Sequence, residues 1–352
     1  MSILNSFLII LQLKYYILSI ILAIESSCDD TSVAICNNGK ITSNVIANQT
    51  IHQNYGGVVP ELASRVHQKN IVPAIHQALQ QAGVSKKEID AVAFTRGPGL
   101  LGSLLVGVSF AKSFALALNI PLVSVNHMHA HILAHFIPGD KNPPEFPFLC
   151  LTVSGGHTQI VLIKDYFNME IVGETLDDAA GEAFDKTAKL LNLPYPGGPL
   201  IDKHAKVGNS QAFQFAKPQI ADLNFSFSGF KTSILYLLRK HVAANPNFVV
   251  ENLNDICASV QYSIVQILMN KLETAALRFG IKQVAIAGGV SANSGLRNAL
   301  EANHEKLGWQ TFIPPFQYCT DNAGMIAIAG YYKFLEKDFV DQSVSPMARM
   351  EF

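Results

Sequence analysis

Cysteine is scarce in this chain, and it is nowhere spaced for metal or disulfide chemistry. Cys28, Cys36, Cys150, Cys257 and Cys319 include no C-x-x-C pair, and their odd number leaves one over in any pairing scheme. A disulfide framework and a structural zinc module are thereby excluded, and a reducing, cytoplasmic setting fits best. Charge is thin as well: 15% of residues are charged and the net charge is −1. A chain that grips nucleic acid unaided carries a basic excess, so any such role must rest on local patches or on partners. Long apolar runs are few. Residues 7–24 form one, interrupted by Gln12, Lys14 and Ser19. Its length would permit a membrane helix, but Lys14 lies inside it and its last residues are needed as a first strand. The charged start and small-residue cleavage site of a signal peptide are not evident. Residues 1–20 are therefore expected to be an apolar extension outside the fold, with a membrane tether as the less favoured alternative.

What is present is a pattern that occurs twice in 352 residues, a length sufficient for two domains. Residues 148–163 read as a buried strand, a tight turn at Ser154-Gly155-Gly156-His157-Thr158, and a returning strand. Small residues at the bend leave N–H groups and hydroxyls uncovered for an anionic group; an ordinary Gly-Gly hairpin is the plainer alternative. Residues 20–36 repeat the arrangement around a polar turn at 26–31, and an Asn38-Gly39 turn leads to a third strand at 41–47. A helix opened by Pro60 and closed by Gly83 follows. After it come a strand at 89–94, a helix at 100–118, a strand at 121–125 and a helix at 127–136. The second half keeps this order, with a strand near 170–173 and a helix at 177–191. A helical insertion spans about 195–250. Then come a long helix at 253–279, a strand at 284–287, a helix after Gly289, a strand at 310–313 and a helix at 321–335. The repeat predicts an α/β protein of duplicated actin-like, sugar-kinase-like halves, residues 21–145 and 146–352. Functional groups should gather on strand ends and turns lining a central interdomain cleft.

The sharpest local signal is His127-Met128-His129-Ala130-His131. On a helix His127 and His131 share one face and can share a metal; His129 points elsewhere, and His135 continues the face one turn on. A histidine-rich surface helix is the bland alternative. Met128 stands where the zincin pattern needs glutamate, so the general base of that protease chemistry is missing. Asp321 sits in an N-cap-like setting before the last helix, and it reaches the histidines if the halves close on each other. Two histidines and a carboxylate suit Fe(II), and Zn(II) is also acceptable; spacing does not choose. Residues 285–297 give a strand, a glycine pair and a helix start, with Asn293 at the helix N-terminus. That stretch matches neither the Rossmann nor the P-loop pattern. Asp178, Glu182 and Asp185 fall on one helix side, either as a solvated face beside Lys186 and Lys189 or as a carboxylate reaching a ribose.

These stretches together carry a resemblance. Residues 25–31 (ESSCDDT), 56–65 (GGVVPELASR), 95–103 (TRGPGLLGS), 127–131, 153–159 (VSGGHTQ), 177–189, 195–199 (YPGGP), 225–231 (FSFSGFK), 287–293 and 319–322 occur in order from about residue 21 onward. They resemble the bacterial tRNA N6-adenosine threonylcarbamoyltransferases of the actin-like ATPase superfamily. The resemblance implies that His127, His131 and Asp321 bind iron or zinc. It implies that Thr152, Val153, Ser154, Gly155, Gly156, Asp185, Gly198, Asp202 and Asn293 hold threonylcarbamoyl-adenylate, with Asp29 and Asp30 facing the reacting end. Thr152 stands where archaeal and eukaryotic relatives have tyrosine, which places the chain with the bacterial type. Expected partners are tRNA, a smaller paralogous subunit of the same fold and a P-loop ATPase subunit. The implied reaction is attack by N6 of adenosine 37, in tRNAs reading codons that begin with A, on the carbamoyl carbon, with AMP leaving. Asp29 is the expected proton acceptor. A small-molecule kinase or ATPase of the same fold, and a non-catalytic binding subunit, are the alternatives; the intact histidine and aspartate set weighs against the latter.

Overall fold

The computed structural model describes residues 19–48, 52, 55–216 and 220–352, so the expected extension lies outside the described residues except at its end. There Ile20 opens the first strand instead of closing the extension. The first half runs β1 (Ile20–Glu25), β2 (Thr31–Asn37), β3 (Lys40–Ala47), α1 (Pro60–Ala82), β4 (Ala91–Gly97), α2 (Leu101–Leu118), β5 (Leu122–Asn126) and α3 (His127–Leu133). The second runs β6 (Phe148–Val153), β7 (Thr158–Asp165), β8 (Asn168–Glu174), α4 (Ala180–Leu190), α5 (Gly197–Ala205), α6 (Ser228–Ala244), α7 (Leu253–Phe279), β9 (Gln283–Ala287), α8 (Ser294–Leu307), β10 (Gln310–Phe312) and α9 (Ala323–Leu335).

The two sheets have the same topology. Their orders are β3-β2-β1-β4-β5 and β8-β7-β6-β9-β10, each an antiparallel hairpin meander joined to parallel strands. The β2–β3 turn uses Asn38 at φ 51° and Gly39 at φ 79°, the pair of positive dihedrals that a two-residue hairpin needs. Burial then arranges five layers. α1 and α2 cover the outer face of the first sheet around Ile71, Ile75, Val108 and Phe94. The helices of the second half cover the outer face of the other sheet around Phe184, Phe230, Ile264 and Ile286. Between the sheets, Ala130, Ile132 and Leu133 of α3 and Met325 to Ala329 of α9 fill a shared core with Ala23, Val125, Cys150 and Ala287. α2 is long and apolar enough to cross a bilayer, yet it packs on α1 and β4 through Leu104, Val108 and Ala111.

One arrangement does not follow chain order. α9 belongs to the second half by sequence but packs on β1 and β2 of the first sheet, and residues 338–352 run on over the first lobe. Met347 N donates to Arg96 O at 2.8 Å, and Asn126 Nδ2 donates to Glu351 O at 2.9 Å. Gly97 permits the crossing, because a Cβ there would meet Met347 O at 1.9 Å.

His135 does not continue the face of His127 and His131. α3 ends at Leu133 and a 3₁₀ turn (Ala134–Phe136) follows, whose tighter winding swings the ring toward β9. There its Nε2–H donates to Ile286 O at 3.0 Å. Burial pulls its pKa down to about 4 despite that bond. The unfolded chain, with an ordinary imidazole near 6.5, then binds the proton more readily than the fold. Stability contributed by neutral His135 is complete above about pH 6.5 and is lost as pH falls toward 4, at most about 3 kcal/mol. Thermal unfolding followed from pH 7 to 4.5 should show this slope, reduced in His135→Gln; identical slopes would refute the assignment.

Candidate functional site

The site grows from the starts of the two inner helices. Asn126 caps α3, its Oδ1 accepting from Met128 N at 2.8 Å and His129 N at 3.3 Å. His127 and His131 then lie one turn apart on the buried side, with ring centroids 4.7 Å apart. His129 turns away and packs on Phe352. Across the seam, Asp321 is not the cap of α9. Asn322 is: its Oδ1 accepts from Met325 N at 3.1 Å, which leaves the Asp321 carboxylate free to face the histidines. Asp321 Oδ1 lies 3.4 Å from His127 Nε2 and 3.2 Å from His131 Nε2.

These three ligand atoms all fall within 4.8 Å of one another, and no other such group occurs among the described residues. The spacings fit bonds of about 2.1 Å from two imidazoles and a carboxylate to one divalent ion. Electrostatics favours a cation here. Burial opposes charge on His127, but the Glu25 and Asp321 carboxylates outweigh it and hold the imidazole well above its ordinary pKa. Burial likewise opposes charge on Asp321, and the two histidines hold it well below the carboxylate range. His131 is pushed down, chiefly by burial, and stays neutral.

Sequence reasoning assigned no role to Glu25, which ends β1 with no exposure. Its Oε2 accepts from His127 Nδ1–H at 3.0 Å and Thr95 Oγ1 at 2.6 Å, and its Oε1 accepts from Ser27 N at 2.5 Å. The available signal was a charged residue completing an otherwise apolar strand, IILAIE.

A cavity of about 860 Å³ opens beside this cluster, between the lobes. Asp29 and Asp30 line one wall, together with His127 and Asp321. Their loop is held from α1 and α2: His67 Nδ1 lies 2.8 Å from Thr31 Oγ1, and Ser103 Oγ donates to Cys28 O at 2.9 Å. Ser154, Gly155, Gly156, Asp185, Gly198, Asp202 and Asn293 line the opposite wall. Thr152 and Val153 do not; both are fully buried in β6. At the bend, the N–H groups of Gly156 and His157 turn on Ser154 Oγ at 3.4 and 3.1 Å, so part of the expected anion cradle is satisfied internally.

The acidic triplet divides. Lys186 joins Asp178 and Glu182 at 2.7 and 2.8 Å, the solvated-face arrangement. Asp185 instead accepts from Gly197 N at 2.8 Å and Gly198 N at 3.2 Å, capping α5 from a distance. Burial raises its pKa against those two bonds. Asp202 accepts from Ser294 N and Oγ, and Asn293 Oδ1 accepts from Leu296 N, so both brace the start of α8 at the cavity edge.

The duplicated α/β fold, two like sheets enclosing shared inner helices with a cavity at their seam, is that of an actin-like two-lobed protein. Likeness to solved structures supports that fold. HypF, in its phosphate- and nucleotide-bound form, aligns with a TM-score of 0.59 at 13% identity over 90% of this chain and 46% of that one. Component A of the Acidaminococcus fermentans (R)-2-hydroxyglutaryl-CoA dehydratase aligns at 0.51 and 18% identity, over 90% and 98%. Residues 40–328 match the family model of tRNA N6-adenosine threonylcarbamoyltransferase. The enzyme of that name from Christiangramia forsetii is 63% identical over 94% of this chain and 98% of its own length. The one from Riemerella anatipestifer is 61% identical over 95% and 98%. This chain belongs to the tRNA N6-adenosine threonylcarbamoyltransferase family.

Proposed function

We propose that this protein transfers the threonylcarbamoyl group from threonylcarbamoyl-adenylate to N6 of adenosine 37, in tRNAs reading codons that begin with A, releasing AMP. The observation that carries the reading is one cavity lined by Asp29, Asp30 and two members of a histidine–aspartate cluster on one wall and by a glycine-rich turn on the other. The substrate is already an activated mixed anhydride, so the residues need only hold it, orient it and move one proton. Ser154 to Gly156, Asp185, Gly198, Asp202 and Asn293 hold the adenylate, with the backbone beneath them set by Thr152 and Val153. Gly155 and Gly156 suit close approach, since a Cβ on either would meet nothing within 4 Å. His127, His131 and Asp321 would hold the metal, which we assign as Fe(II), with Zn(II) accepted by the same donors. When bound, such an ion supplies Lewis acidity toward the acyl-phosphate. Asp29, with Asp30 beside it, takes the proton from the attacking amine.

Recognition of an anticodon-loop base calls for single-strand access, and the near-neutral charge argues for shared tRNA binding with a smaller paralogous subunit and a P-loop ATPase subunit in the cytoplasm. The test is mass spectrometry of tRNA nucleosides from cells depleted of this protein. Threonylcarbamoyladenosine should fall and return with the wild-type chain; an unchanged level, with no second copy of the gene, would sink the reading in favour of a small-molecule kinase. Asp29→Asn should lower turnover about 100-fold with adenylate affinity little changed. Full activity in that variant removes Asp29 from the proton transfer.

A further inference from the structure

Glu25 is a carboxylate at the end of a strand whose other residues are apolar, with 0% exposure. Burying a carboxylate costs several kcal/mol unless it is paired and hydrogen-bonded, so its retention asks for a reason. The fold does not supply one. The duplication gives an internal control: β1 pairs with β4 as far as Ile24 and Phe94, and β6 pairs with β9 as far as Thr152 and Ala287. The next residue is Glu25 in the first half and Val153 in the second, equally buried. The same strand end therefore accepts an apolar side chain.

What Glu25 has that Val153 lacks is a histidine. Both its oxygens are held, by Ser27 N and Thr95 Oγ1, and the oxygen bonded to Thr95 also accepts from His127 Nδ1. With that nitrogen carrying its proton toward Glu25, the lone pair of the neutral ring lies on Nε2, the atom facing Asp321 and His131. His131 has no such support, since its buried Nδ1 lacks a hydrogen-bond partner. The start of α9 also faces the cluster, and the positive end of that helix works against a cation. A second negative charge next to Asp321 offsets it.

We propose that Glu25 is a positioning residue of the metal centre, fixing the tautomer and orientation of His127 and supplying the second negative charge that retains a divalent ion. The proposal rests on the assignment of His127, His131 and Asp321 as ligands. Second carboxylates of this kind are worth 10- to 100-fold in metal affinity.

The test uses the purified full chain with Zn(II), read by competition with a chromophoric chelator, and with Co(II), read by its visible absorption. Glu25→Gln should fold like wild type by circular dichroism, bind Zn(II) about 10- to 100-fold more weakly and change the Co(II) band. Wild-type affinity and an unaltered band in folded Glu25→Gln would overturn the proposal. His127→Ala is the control. If it loses the metal while Glu25→Gln does not, the proposal fails and the ligand assignment stands; if it binds as wild type, both fail. Should Glu25→Gln not fold, imidazole nitrogen NMR of the zinc-loaded wild type decides. A protonated Nδ1 on His127 supports the role, and a protonated Nε2 overturns it.

Discussion

His131→Ala is expected to abolish threonylcarbamoyl transfer while leaving the fold in place. The side chain is fully buried, its Nε2 is 3.2 Å from Asp321 Oδ1, and its removal leaves two ligands where three converge. Loss of the ion would forfeit several kcal/mol of charge stabilisation, about a 1000-fold fall in rate. Stability should change much less. His131 Nδ1 has no partner in the fold, so the loss is confined to the Nε2 contact with Asp321 and the packing of one buried ring. In cells lacking the wild-type protein, His131→Ala should fail to restore threonylcarbamoyladenosine, and the purified variant should hold far less metal while keeping the wild-type circular dichroism spectrum and a cooperative unfolding transition. Wild-type metal content with full modification would remove His131 from the site. Stripping the wild-type protein with a chelator should copy the variant, and re-adding Fe(II) should reverse it.

Gly288→Ala is expected to destabilise the second lobe strongly, because backbone conformation and close packing both oppose a Cβ there. Gly288 lies at φ 85° and ψ 168°, a region that residues with a Cβ avoid at a cost of about 1–3 kcal/mol. A Cβ there would also sit 2.4 Å from Val153 O, on the strand end that leads into Ser154. Relieving that contact means separating β6 from the turn that positions Asn293, for a further 1–3 kcal/mol or so. The sum is a large share of a typical stability and should lower the unfolding temperature on the order of 10 °C. Gly280→Ala is the matched control: it too has positive φ, 67°, but nothing lies within 4 Å of its Cβ position, so only about 1–2 kcal/mol should be lost. Differential scanning calorimetry of the pair separates the two causes. Equal losses would show that the close approach to Val153 is immaterial.

Much of this protein is written locally and can be read without the fold. Alternating and continuous apolar runs mark the strands, Asn38-Gly39 marks a hairpin, and Pro60 and Gly83 bound a helix, because these signals depend on a residue and its near neighbours. The pairing of His127 with His131 is equally local, a matter of four residues on one helix. The repeat of the whole pattern then implies two similar lobes. Tertiary structure decided the relations between distant positions, of which only the approach of Asp321 to the histidines was expected from the repeat and the resemblance. Asp321 meets His131 from 190 residues away, and His127 is backed by Glu25 from 102 residues away. Asp185 leaves the acidic face it shares by spacing with Asp178 and Glu182 because the N–H groups of Gly197 and Gly198 need an acceptor. Asn322 rather than Asp321 caps α9, and α9 crosses to the first sheet, where Ala323 N donates to Ser32 Oγ and Gly324 N to Asn44 Oδ1. Burial strips these polar groups of water, so each must find its partner wherever the packed lobes bring one within reach, and no spacing along the chain encodes that distance.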